Sequence, residues 1–161
     1  MILHRDIKPE NILVDGKRIK LADFGLAKKA SFLQRRKSNT IVSLWYRAPE
    51  IVLGSEEYLL GVDIWSCGCL FGELMQTRPV FYCKSDQEVL EKAFKILGTP
   101  TEDYCPSFLK LKRWKEFKFP KYAPVETMSH HFPYGTPEAL DLLQKMLALD
   151  PKDRITAKEA L

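Results

Sequence analysis

His4-Arg5-Asp6-Ile7-Lys8-Pro9-Glu10-Asn11-Ile12-Leu13-Val14-Asp15-Gly16-Lys17-Arg18-Ile19-Lys20-Leu21-Ala22-Asp23-Phe24-Gly25 is the stretch whose reading decides the fold. Ile12-Leu13-Val14 and Ile19-Lys20-Leu21 flank an Asp-Gly pair, and glycine supplies the positive φ that a tight turn needs. The pattern predicts a β-hairpin turning near Asp15 and Gly16. Such a hairpin sets Asn11 beside residues near Ala22 and so brings Asn11 and Asp23 to one end. An amide oxygen and a carboxylate brought together this way suit Mg²⁺, which takes hard oxygen ligands and few carboxylates. Asp6 lies just upstream, near enough to orient a hydroxyl, and Lys8 could neutralise charge on a transferred phosphoryl group. Taken singly these residues say little, since an Asp beside a turn is commonly only a cap.

Working outward, residues 26 to 44 show no period and carry basic residues without an acid, which reads as a loop ahead of Trp45-Tyr46-Arg47-Ala48-Pro49-Glu50. Val62 to Met75 is apolar on more than one face, as in a buried helix, with Gly68 and Gly72 allowing close approach of another element. Ser85 with Glu88 predicts a capping box opening a helix that Gly98-Thr99-Pro100 stops. Residues 101 to 136 form a long stretch of little period, which reads as an insert. Thr136-Pro137 opens a further helix through Leu147, and Thr156 with Glu159 opens one more.

The 161 residues, 45% hydrophobic, exclude wholesale disorder, and a formal charge of +4 is too mild to announce a nucleic-acid binder. The excess is local: Phe24 to Pro49 holds six basic residues and no acid, and Lys110 to Lys121 holds six against Glu116 alone. The second run, around Trp114 and Phe117, reads as a solvated insert with its aromatics turned inward, so no nucleic-acid partner is expected. The four cysteines lack metal spacing and read as ordinary thiols. No apolar run is long enough for a membrane span, and the start does not resemble a signal peptide, so an intracellular protein of nucleus or cytoplasm is expected.

His4-Arg5-Asp6, Lys8, Asn11, Asp23-Phe24-Gly25 and Ala48-Pro49-Glu50 occur in the order found in eukaryotic protein kinases. Asp23-Phe24-Gly25-Leu26-Ala27, Leu44 to Glu50, Leu97-Gly98-Thr99-Pro100 and Leu149 to Ile155 resemble the cyclin-dependent kinases in particular. The resemblance implies a mainly α fold with a small β-hairpin, the large C-terminal lobe of the kinase fold, with residues 1–161 forming part of one kinase domain. It implies transfer of the ATP γ-phosphate to Ser or Thr followed by Pro.

Residue by residue, the resemblance makes Asp6 the catalytic base and Lys8 the γ-phosphate contact, with Asn11 and Asp23 holding Mg²⁺. Ser38 stands where the family carries its activating phosphate, with Thr40 as fallback, and Arg5 and Lys28 would receive it. Val42, Ser43 and Arg47 match the substrate pocket. Asp63 matches the residue that anchors the catalytic-loop backbone, and Glu50 with Arg154 a structural ion pair. The implied partners are protein substrates, a cyclin, and a small regulatory subunit at Ser85 to Pro100.

No two of the glycines are separated by a single residue, so the G-x-G-x-x-G loop that covers ATP phosphates in kinases is not in this sequence. The chain is therefore expected to be a large-lobe fragment truncated at both ends, with little autonomous activity. The alternative is a non-catalytic, kinase-derived fragment that competes for substrates or regulators.

Overall fold

A computed structural model describes residues 2–29, 44–56 and 61–161. Expectations for Ser38, Thr40, Val42 and Ser43 lie outside the described residues. Two antiparallel ribbons precede a helical body. β2 (Ile12–Asp15) pairs β3 (Arg18–Leu21), with Ile12 opposite Leu21 and Asp15 opposite Arg18. The loop positions are thus Gly16 and Lys17, one residue later than the sequence suggests. Gly16 takes φ 59 there, while Asp15 stays in the strand and pairs its carboxylate with Lys20 Nζ at 3.0 Å. The shift moves the register by two residues and sets Asn11 next to Ala22, whose N–H donates to Asn11 O at 2.9 Å.

A second ribbon joins β1 (Ile2–Leu3) to β4 (Lys28–Lys29), with Leu3 opposite Lys28. It closes the loop of chain holding the hairpin, so residues 4 to 11 and 22 to 27 are clamped at both ends. Val14 and Ile19, cross-strand neighbours on one hairpin face, are 74% and 75% exposed.

The body holds α1 (Pro49–Val52), α2 (Gly61–Gln76), α3 (Asp86–Leu97), α4 (Pro137–Met146) and α5 (Ala157–Ala160). α2 buries one face through Val62, Trp65, Ser66 and Cys69, whereas Leu74 is 73% exposed, so it is half-covered rather than surrounded. Its glycines admit neighbours closely: a Cβ on Gly68 would lie 2.9 Å from Leu147 Cδ2, and one on Gly72 2.7 Å from Val80 Cγ2. Trp65 stacks on Phe81 at 5.4 Å. Ser85 caps α3 by accepting from Glu88 N–H, but Glu88 reaches past it to Lys84 N–H, leaving the box half made. Thr156 and Glu159 complete theirs reciprocally.

The 101–136 segment is no loose insert. It forms three 3₁₀ turns, Phe108–Lys110, Trp114–Glu116 and Met128–His130, with Phe108, Met128 and Phe132 buried. Trp114 and Phe117 are partly buried against the core, turned inward as the sequence suggests, and Trp114 and Phe119 pack with Phe94. Arg113 departs from the expected solvated run. Its guanidinium bonds Val52 O at 2.7 Å and Asp86 at 2.8 Å from Nη1, and Glu116 at 2.9 Å from Nε, tying the segment to α1 and α3. Lys112 is also engaged, with Glu56.

Candidate functional site

The 3₁₀ turn Pro9–Asn11 begins on a proline, whose fixed φ suits a first helical position, and it delivers Asn11 to the mouth of the hairpin. Asn11 is buried there. Its Nδ2 donates to Asp6 O at 2.8 Å and to Asp6 Oδ2 at 3.0 Å, which leaves the carboxamide oxygen as its remaining polar atom. Lys8 Nζ meets the same Oδ2 at 3.0 Å. Asp6 is only 8% exposed, and among the described residues its other oxygen, Oδ1, has no hydrogen-bond partner. A carboxylate oxygen left bare in a buried site is costly unless another molecule completes it. One oxygen of Asp6 is thus fixed by a cation and an amide, and the other is buried without a partner among the described residues.

Asp63 holds this loop from below. Its Oδ2 accepts His4 N–H at 2.7 Å and its Oδ1 accepts Arg5 N–H at 2.8 Å, from nearly sixty residues away in sequence. Arg5 sits at φ 71, a conformation that ordinary side chains avoid, and the paired bonds to Asp63 hold it there. Asp23 is likewise left-handed, at φ 58, where an aspartate is better tolerated, and its Oδ1 accepts Gly25 N–H at 3.1 Å. Asp23 is exposed, with its second oxygen turned to none of the described residues' donors.

His4 ties the two acidic arms together. Its Nδ1 accepts Asp6 N–H at 3.3 Å, so the ring proton belongs on Nε2, which donates to Ala22 O at 3.0 Å. The ring also meets Phe24 edge-on at 4.9 Å. His4 therefore fixes the distance between the Asp6 loop and the turn that carries Asp23. Asn11 and Asp23 offer only hard oxygen, so the residues present fit a Mg²⁺ ion. Among the described residues no cluster of three or more His, Cys, Asp or Glu side chains forms a metal site.

Glu50 and Arg154 are buried together, and Arg154 spends all five N–H donors: two on Glu50, and one each on Gly61 O, Ala148 O and Leu149 O. The guanidinium also lies 5.0 Å over the Trp65 ring. Arg47 and Lys28 are half-buried, and Lys28 lies opposite Leu3, which precedes Arg5 by two residues.

Sequence reasoning overlooked two contacts that shape the end of the loop before α1. Tyr46 donates its hydroxyl to Glu73 at 2.6 Å, and burial with that carboxylate pushes the phenol well above its ordinary range. Trp45 Nε1 donates to Cys83 O at 2.8 Å while its ring meets Tyr82 at 4.7 Å. Neither partner is near in sequence, so no local signal could have found them. All four cysteines are free thiols, and burial pushes Cys67, Cys83 and Cys105 up to about 11. Among the described residues no helix is long and apolar enough to cross a membrane. Compared with families of known proteins, residues 1–161 match the model of the protein kinase domain.

Proposed function

The chain belongs to the protein kinase domain family, which sets phosphoryl transfer as its chemistry, and on that premise we propose that it is the large-lobe part of a cyclin-dependent-type kinase acting on Ser or Thr followed by Pro. The observation that carries the reading is Asp6: a buried carboxylate fixed through Oδ2 by Lys8 and Asn11, with Oδ1 bare. On this reading that oxygen accepts the proton of a substrate hydroxyl as it attacks the γ-phosphorus of ATP. Lys8, 3.0 Å from Asp6, sets positive charge beside the reacting oxygen, where negative charge develops on the transferred group.

Asn11 and Asp23 would hold Mg²⁺, which when bound neutralises phosphate charge. The His4 bridge to Ala22 keeps that pair in step with Asp6. On this reading Arg5 and Lys28 receive a phosphate carried on Ser38, or failing that Thr40, and Val42, Ser43 and Arg47 take the substrate's proline. A cyclin, and a small regulatory subunit on Ser85 to Pro100, are the partners implied. In support of the latter, α3 buries Val89, Leu90, Ala93 and Phe94 inward and leaves Lys92 and Lys95 exposed.

The test is transfer of labelled γ-phosphate to peptides by the protein purified from its native source. Label on Ser or Thr in Ser-Pro and Thr-Pro peptides, with Ser-Ala and Tyr peptides much poorer, is the expected result. Equal labelling of Ser-Ala peptides, or labelling of Tyr, would contradict the assignment.

A further inference from the structure

A cavity of about 420 Å³ opens between the end of α3, the 101–136 segment and the turn after α4. None of its lining residues belongs to the Asp6 loop, and nothing in the phosphoryl-transfer reading uses it. Its walls are of two kinds. Pro124 and Val125 give an apolar side, with Leu97, Met128 and Leu149 buried behind it. Asp103, Asp150 and Asp153 stand on the walls, and among the described residues no Lys, Arg or His lines the space.

These carboxylates differ in how they are engaged. Asp150 accepts the Ser107 hydroxyl at 2.8 Å and Lys152 N–H at 3.0 Å. Asp103 and Asp153 are exposed, and among the described residues neither has a cation within ion-pair distance. Their negative field reaches inside. The thiol of Cys105, also on the wall, is raised first by burial, with the Ser107 hydrogen bond acting the other way and Asp150 and Asp153 adding to the rise.

The walls are held in place. Arg154 Nε donates to Ala148 O at 2.7 Å and its Nη2 to Leu149 O at 2.9 Å, while the Tyr104 hydroxyl donates to Leu97 O at 2.7 Å. The backbone on two sides is thus pinned by groups that bind nothing else in the cavity. Pockets that take small organic ligands run from about 300 to 1,000 Å³, with apolar walls and a few polar groups that fix orientation. An anionic ligand would meet only carboxylates here, and a purely apolar one would leave them idle.

We propose that this cavity binds a small amphipathic cation, an apolar body bearing one protonated amine, with the body on Pro124 and Val125 and the ammonium between Asp103 and Asp153. The proposal stands apart from the phosphoryl-transfer reading and does not depend on it.

The test titrates the full chain with 4-phenylbutylammonium, 4-phenylbutan-1-ol and 4-phenylbutanoate, following backbone amides by NMR and affinity by calorimetry. The amine is expected to saturate, moving the amides of Tyr104, Cys105 and Gln144, with the alcohol about tenfold weaker and the carboxylate not saturating. Asp103→Asn with Asp153→Asn, both at exposed positions, is expected to lower amine affinity about tenfold and leave the alcohol unchanged, with no change in melting temperature. Equal affinity for amine and alcohol, shifts centred elsewhere, or no saturation would overturn the proposal. So would binding of an Arg-bearing Leu-rich peptide but not of the amine, which would assign the cavity to a partner protein.

Discussion

Glu50 and Arg154 face each other as a two-point pair, Nη1 to Oε1 at 2.6 Å and Nη2 to Oε2 at 2.7 Å, with the residues 3% and 5% exposed. The pair joins the first turn of α1 to the turn after α4, two places 104 residues apart. Arg154→Met leaves a buried carboxylate unpaired and strips Gly61, Ala148 and Leu149 of their donor. A loss of about 3–5 kcal/mol in urea unfolding is expected. Adding Glu50→Leu removes the stranded charge and is expected to restore part of that loss, the three carbonyls remaining bare. A single-variant loss below about 1 kcal/mol would mean the pair behaves as a surface contact.

Asp63→Ala removes the acceptor of two charge-assisted backbone bonds, each of the kind worth about 1.5–3 kcal/mol. Arg5 then has nothing to hold it in its left-handed conformation. Amide exchange at His4 and Arg5 is expected to quicken at least about tenfold, while amides within α4 stay protected. Uniform quickening across both regions would show that Asp63 acts on global stability instead.

Gly98 ends α3 at φ 92, and a Cβ there would sit 2.8 Å from Pro124 N. Gly98→Ala combines backbone strain with a clash against main chain, which cannot rotate away. It is expected to cost about 1–3 kcal/mol or more in urea unfolding, and an unchanged midpoint would contradict the described path of residues 98 to 124.

The Glu159 carboxyl is held below its ordinary value, first by Thr156 N–H and then by the Thr156 hydroxyl. A depressed folded value stabilises α5 above the unfolded carboxylate value, and that support is lost as pH falls through the folded one. In a carbon NMR titration Glu159 is expected to titrate lower than a free glutamate. Thr156→Val, which keeps the N–H and loses the hydroxyl, should move it partway back. An ordinary titration in the unaltered chain would remove the capping box from the account.

What the sequence could reveal followed the range of each interaction. The hairpin, the caps at Ser85 and Thr136 and the reciprocal pair at Thr156 depend on residues within a few positions, and the sequence displays them. Asp6, Lys8 and Asn11 meet within six residues of chain, and the hairpin register sets Ala22, next to Asp23, against Asn11, so the heart of the site was also local. The β1–β4 ribbon, the Arg113 ties to Val52 and Asp86, and the Tyr46–Glu73 bond join distant stretches by one or two contacts each, which leave no periodic mark. Arg113 looked like one more solvated cation because its partners are backbone and an aspartate far along the chain. Asp63 entered only through the family resemblance, since a lone Asp at the start of a helix reads as dipole compensation.

The Asp6 carboxylate is the point on which the account turns. The direct measurement is the rate of γ-phosphate transfer to a Ser-Pro peptide by the natively purified protein, comparing the unaltered chain with Asp6→Asn. The asparagine keeps the shape beside Asn11 and Lys8 but cannot take a proton. A fall in kcat of about 10²- to 10⁴-fold, with the melting temperature retained, is the predicted result. Transfer at the unaltered rate would contradict it and take the catalytic role away from Asp6.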